Sequence, residues 1–132
     1  MTLEITPPIS IAKAYSPSHI TGFYSEVKND SALNRGSLGA GVSIRKGVKT
    51  TVELYDSERS NFIIRINGVD TKDAIVSKFV IDEFLKKVKK HYFLNVSHEV
   101  EVPIGYGIGT SGSAALSLAI ALNDGLSLGL SD

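Results

Sequence analysis

Residues 103–115 read PIGYGIGTSGSAA, in which Gly105, Gly107, Gly109 and Gly112 are interleaved with small and hydroxyl-bearing side chains. Upstream lies LNVSHEVEV (94–102), whose alternation reads as a strand, and downstream SAALSLAIALNDGL (113–126), rich in alanine and leucine, reads as a helix. The chain must therefore fold so that a strand feeds a helix through an open glycine turn. Glycine permits positive φ and lets a ligand approach without a Cβ in the way. The first turn of a helix adds N–H donors without intrahelical partners and a partial positive charge. An anion such as phosphate fits that arrangement. Thr110, Ser111 and Ser113 add hydroxyls that can bond phosphate oxygens or Mg²⁺. Tight turns and close helix packing use the same small residues, but four glycines and three hydroxyls exceed what a turn needs.

Three phosphate motifs compete for the loop. A Walker loop needs lysine before Ser or Thr, and no lysine follows Lys90, which excludes it. Gly107–Gly112, GIGTSG, satisfies GxGxxG, yet a dinucleotide fingerprint belongs to a first βα turn, and here most of the chain precedes it. The third motif explains more. Pro103, Gly107, Ile108, Gly109, Thr110, Ser111 and Ala114 fall on a pattern of Pro, three residues, then Gly-Leu-Gly-Ser-Ser-Ala-Ala, and the run resembles the second signature of the GHMP kinases. Thr110 replaces the first Ser, and Gly112-Ser113 stand where Ala-Ala is usual.

A second segment narrows the resemblance. Residues 14–24, AYSPSHITGFY, carry Pro17 and Gly22 of the first GHMP signature but lack its Arg and its Glu-His. Together with GSLGAGV (36–42) and the GTSGS form of the loop, SPSHITGF is similar to the archaeal pantoate kinase branch. The resemblance implies an α+β fold, the GHMP kinase N-terminal domain, with a ribosomal-protein-like left-handed βαβ unit, a mixed sheet and packed helices. It implies ATP carried with Mg²⁺ and transfer of the γ-phosphoryl group to pantoate on the route to coenzyme A. A homoserine-type or mevalonate-type kinase, or a fragment that binds nucleotide without turnover, remain the alternatives.

Site residues follow from the same resemblance. Pro103, Gly105, Gly107, Ile108, Gly109, Thr110, Ser111, Gly112 and Ser113 are expected to hold the nucleotide, with Thr110 and Ser111 beside its Mg²⁺. His19 and Thr21, within the first signature, are expected to contact substrate. Arg35 is a candidate for the substrate carboxylate because a guanidinium binds carboxylates bidentately, although a loop arginine is as readily a plain surface residue. No general base is identified: Asp124 and Asp132 lie downstream of the loop, but neither sits in a recognisable motif.

Residues 1–132 read as a single ATP-binding N-terminal domain, without the third glycine-rich signature and C-terminal domain of longer GHMP kinases. The chain therefore reads as truncated, with apolar surface left uncovered and self-association, a homodimer, expected. The closing GLSLGLSD reads as a loop with Ser131 or Asp132 capping a further helix. Fourteen basic and fourteen acidic residues balance, which argues against a nucleic-acid or acidic-membrane partner and leaves a small-molecule substrate. The one basic run, Lys86–Lys90, reads as the solvated C-terminal end of a helix. The absence of cysteine excludes disulfides and fits a cytoplasmic protein.

The remaining elements are placed by pattern. Ser10–Ala14, Leu38–Ile44, Val48–Tyr55 and Phe62–Asn67 read as strands, Asp56–Asn61 as a polar hairpin turn, and Thr71–His91 as an amphipathic helix.

Overall fold

The computed structural model describes residues 6–131. Its strands are β1 (Ser10–Val27), β2 (Gly36–Asp56), β3 (Asn61–Ile66), β4 (Val69–Asp70) and β5 (Tyr92–Val100); its α-helices are α1 (Ile75–Leu85) and α2 (Thr110–Gly125). They form one mixed sheet in the order β1-β2-β5-β3-β4. β3 lies parallel to β5 with α1 between them in sequence, the expected βαβ unit, while all other pairs run antiparallel.

Alternation explains which face the helices cover. Val48, Thr50, Val52 and Leu54 of β2 are buried at every second position, and their register partners include Val96 and Leu94 of β5 and Ala12 of β1. These pack with Ile64, Ile81, Leu118, Ala121 and Leu122 into one core between the sheet and the two helices. The opposite sheet face carries Lys13, Tyr15, Lys49 and Glu53 and stays at least partly open to solvent. No described helix is long and apolar enough to cross a membrane.

Several expectations need correction. Asp56–Asn61 links β2 to β3 but is not a hairpin turn, because β5 lies between those two strands in the sheet. The strands expected at Ser10–Ala14 and Leu38–Ile44 are parts of longer ones: β1 and β2 form a hairpin whose register runs from Ser10↔Leu54 to Val27↔Gly36. Residues 18–27 do not alternate cleanly because two irregularities, at Pro17/His19 and Thr21/Phe23, break their period. The helix expected over Thr71–His91 is confined to α1. Its last turn tightens, with Lys87 and Val88 N–H donating to the Phe84 and Leu85 carbonyls three residues back, because the chain must reverse before β5 begins at Tyr92. Finally, Asn67-Gly68, both at positive φ, form a two-residue hairpin into β4 that the pattern reading passed over.

Residues 128–131 adopt no regular structure, and the Asn123 side chain brackets the Leu130 main chain, its Nδ2 donating to the carbonyl and its Oδ1 accepting from the N–H, both at 2.9 Å. The cap expected at Asp132 lies outside the described residues.

Candidate phosphate-binding site

The glycine loop leaves β5 at Val100 and enters α2 at Thr110. Its root is pinned to β2: Glu101 N–H donates to the Gly47 carbonyl at 2.9 Å, and Gly47 N–H donates to Glu101 Oε2 at 3.1 Å. Gly105, Gly107 and Gly109 take φ of 86°, 71° and 69°, so the chain turns at each alternate residue. Gly109 is the residue where glycine is strictly needed. It is the left-handed N-cap of α2, and a Cβ there would fall 2.4 Å from His19 Nδ1.

A glycine N-cap has no side chain to accept the helix's free donors. Ser113 N–H reaches the Gly109 carbonyl at 3.0 Å, whereas the N–H groups of Thr110, Ser111 and Gly112 precede this first intrahelical donor and have no acceptor within the helix. Three main-chain donors at the positive end of a 16-residue helix therefore face outward.

The structure divides the expected nucleotide residues into two groups. Ser111 and Gly112 are exposed at the mouth. Ser113 and Thr110 point inward. Ser113 Oγ is buried and lies 2.8 Å from the Pro17 carbonyl and 3.0 Å from that of Gly109, while Thr110 Oγ1 lies 3.4 Å from the Pro103 carbonyl. Their hydroxyls fasten the loop to neighbouring main-chain carbonyls. Pro103 and Ile108 contribute carbonyls: His19 N–H donates to Ile108 O at 3.3 Å. Among the described residues, no group of three His, Cys, Asp or Glu side chains is arranged to hold a metal.

His19 comes to the loop. The His19 ring lies against Gly109, and Thr21, two residues on along β1, shares its face opposite Gly41. Arg35 does not. It sits at the far end of the hairpin, where its Nε donates to the Asn29 carbonyl at 3.1 Å, in an open hollow with Glu26, Lys28 and Asp30. Eight residues separate His19 from Val27, which pairs with Gly36, so Arg35 is about 25 Å from the loop along the strands. Asp124 is also remote, about 20 Å along α2 from Thr110.

Two features escaped the sequence reading. A cavity of about 220 Å³ opens beside the loop, sharing Thr110 and Ser111 with it and walled by Ile66, Ile75, Val100 and Ile104. Asp73, just before α1, lines the same cavity and places a carboxylate near the loop that no motif marks. His98, at its floor, is 1% exposed, and burial lowers its pKa to about 4, so the ring is neutral at physiological pH.

Residues 74–132 match the GHMP kinases N terminal domain, and the matched stretch runs from the start of α1 through the glycine loop and α2. The chain carries a GHMP kinase N-terminal domain. It is 36% identical to a pantoate kinase of Methanocaldococcus jannaschii over 114 residues, 86% of this chain and 40% of the relative. It is 35% identical over 107 residues, 80% of this chain and 38% of the relative, to a shikimate kinase of Thermococcus kodakarensis. A solved structure described as a phosphotransferase related to the CoA biosynthesis pathway superposes with a TM-score of 0.80 at 29% identity, covering 92% of this chain and 41% of that one. The chain thus spans about 40% of the length of the relatives it matches. The glycine loop lies within the matched residues, and the SPSHITGF segment, which precedes them, lies against the loop through His19.

Proposed function

We propose that this domain forms the phosphate-binding half of an ATP-dependent small-molecule kinase whose acceptor is pantoate. The observation that carries the reading is the loop: three outward main-chain donors at the start of α2, behind three glycines at positive φ. Charge-assisted hydrogen bonds contribute about 1.5 to 3 kcal/mol each, enough in combination to hold a polyphosphate. The apolar cavity alongside fits the base, because it shares Thr110 and Ser111 with the loop.

Transfer breaks the bond from the γ-phosphorus to its bridging oxygen, which leaves with ADP, and forms one to the acceptor hydroxyl oxygen, whose proton passes to solvent. In this class of reaction, positioning and electrostatics supply most of the rate. The donors of Thr110, Ser111 and Gly112 meet charge on the phosphoryl oxygens, and His19 and Thr21 flank the acceptor side. Ser111 brings the one outward-facing hydroxyl of the loop helix, and the loop's carboxylate, Glu101, is engaged by the Gly47 N–H at its root. This donor set suits Mg²⁺ that arrives bound to the nucleotide and neutralises its phosphates.

Pantoate is favoured by the 36% identical relative and by the SPSHITGF and GSLGAGV segments. The shikimate kinase relative keeps a second hydroxy acid in contention, since both acceptors combine a carboxylate with an alcohol. Arg35 is a carboxylate ligand only if the ribbon tip is brought to the loop, so the nearer His19 and Thr21 are the better substrate contacts.

Calorimetric titration with Mg·ATP tests the loop directly. Saturable one-site binding that disappears in Gly109→Asp is expected, because the substitution puts a carboxylate at the helix start and a Cβ 2.4 Å from His19 Nδ1. A folded wild-type chain that takes up no heat would remove the nucleotide reading. Phosphate transfer to pantoate and shikimate, assayed side by side, then decides the acceptor.

A further inference from the structure

The core between sheet and helices changes character where it meets the glycine loop. Val52, Leu54, Leu94, Val96 and Leu118 are wholly apolar neighbours, but the next layer toward the loop is Thr50, His98, Ser77 and Ser117, each 5% exposed or less. These four come from β2, β5, α1 and α2. Ser77 Oγ lies 3.1 Å from His98 Nε2, His98 Nδ1 lies 2.8 Å from Thr50 Oγ1, and Thr50 Oγ1 lies 2.6 Å from Ser117 Oγ. Ser117 Oγ is 2.8 Å from the main-chain oxygen of Ser113.

The last contact sets the direction of all the others. A carbonyl oxygen can only accept, so Ser117 donates to Ser113 and must itself accept from Thr50. Thr50, its one hydrogen used, accepts from His98 Nδ1–H. The imidazole is therefore the Nδ1–H tautomer, and its Nε2 accepts from the Ser77 hydroxyl. Every hydrogen runs one way, from α1 through the sheet into the first turns of α2. There Ser113 continues outward, its hydroxyl close to the Pro17 and Gly109 carbonyls.

We propose that Ser77, His98, Thr50 and Ser117 are positioning residues that hold the first turn of α2, and hence the Thr110, Ser111 and Gly112 donors, in their anion-binding geometry. The functional half of this inference rests on the phosphate-site reading above. Apolar side chains would fill the same layer without a directional tie to one helix turn, whereas a satisfied buried network rigidifies what it bonds. No buried side-chain polar atom among the described residues lacks a partner, so the network is complete.

Thr50→Val keeps the shape but leaves His98 Nδ1–H and Ser117 Oγ without their common partner. In the ligand-free chain, amide hydrogen exchange is expected to accelerate at least tenfold at Ser113 and Ser117 relative to Leu118–Leu122 of the same helix. Thr50→Ser is expected to restore protection. In parallel, Mg·ATP affinity is expected to fall about tenfold in Thr50→Val and to recover in Thr50→Ser. Uniform loss of protection along α2 with unchanged affinity of the folded fraction would overturn the proposal and reduce the network to a packing layer. If the wild-type chain binds no Mg·ATP, the phosphate reading fails while the exchange pattern still decides the positioning role. Should Thr50→Val not fold, Ser77→Ala at the outer end of the network is expected to give the same localised acceleration, and uniform exchange there would count against it.

Discussion

The same two strands behave as two different structures along their length. In the proximal half of the β1–β2 hairpin, Ala12, Ser16, Val48, Val52 and Leu54 are buried beneath the helices. In the distal half, β1 from His19 to Val27 and β2 from Gly36 to Ser43 are exposed throughout, although the ladder continues unbroken by a loop. Composition follows the division. Val48–Asp56 contains no glycine, whereas the distal half holds Gly22, Gly36, Gly39 and Gly41. Hydrogen bonding alone thus propagates a strand well past the core, but only the side chains under α1 and α2 give it tertiary support, and an isolated two-stranded ribbon is marginal in water. The glycine loop sits where the two halves meet, with His19 as its first distal contact.

The largest effect is expected from truncating the proximal half. Leu54, 1% exposed in the centre of the core, is expected to lose about 2 to 5 kcal/mol on change to Ala, read from urea unfolding. A loss below about 1 kcal/mol would mean that the buried half is no better anchored than the exposed one.

Acid should separate the halves next. His98 lies in the proximal layer opposite Thr50, and its folded pKa of about 4 is below the ordinary value of 6.5. The unfolded chain therefore binds the proton first, and stability falls as pH drops from about 6.5 toward 4, then levels off below both values. The full difference is of order 3 kcal/mol. His98→Gln should flatten this part of the profile, and an unchanged slope in the variant would assign the acid sensitivity elsewhere.

How much was legible depended on which of these halves a residue occupies. The loop and α2 could be read because their requirement is local: positive-φ glycines and a helix start are encoded in consecutive residues. The proximal strands could be read because burial imposes a period; in α1 the apolar spacing located the helix but not its buried face, since Ile75, Val76 and Phe79 are exposed while Ser77 is buried beside Ile81. Of the distal ribbon only Leu38–Ile44 could be read; its β1 partner could not, since Gly22 and the irregularity beside Thr21 break the alternation there and partner pairing supplies the order. The inward turn of Thr110 and Ser113 was also hidden, because a hydroxyl in a glycine loop has the same letter whether it meets a ligand or a neighbouring carbonyl. His98 was passed over as one histidine within a strand; its partners lie 21, 48 and 19 residues away at Ser77, Thr50 and, through Thr50, Ser117. Arg35 shows the converse: its chemistry suits a carboxylate, and its position on the ribbon places it away from the loop.

A smaller effect is expected at the junction itself. A Cβ on Gly47 would fall 2.1 Å from the Ser16 carbonyl oxygen and 2.7 Å from Pro17 Cα, both backbone atoms that cannot swing aside. Gly47→Ala should cost roughly 1 to 3 kcal/mol, in the range of other overpacked sites. It should also disturb the loop, because Gly47 exchanges hydrogen bonds with Glu101 at the loop's root. Chemical-shift changes confined to the ribbon, with residues 101–109 unmoved, would show that the junction does not transmit to the loop.

The smallest effect on stability, and the sharpest test of the contrast, lies at the ribbon's outer end. The register places Ile20 opposite Val42, Phe23 opposite Ala40 and Ser25 opposite Leu38 on one face, while His19, Thr21 and Tyr24 occupy the other. Phe23 and Leu38 are both 71% exposed, so replacing either with Ser removes little that folding buries. Each is expected to change the unfolding free energy by no more than about 0.5 kcal/mol. The same substitutions should reduce any concentration-dependent association of the isolated chain, measured by sedimentation, because this is a contiguous apolar face with no intramolecular cover. A stability loss comparable to that of Leu54→Ala would overturn the division into a supported and an unsupported half. It would mean that the distal face is buried in solution by a partner surface that contributes to folding, and the dependence of that loss on protein concentration would identify a second copy of the chain as the partner.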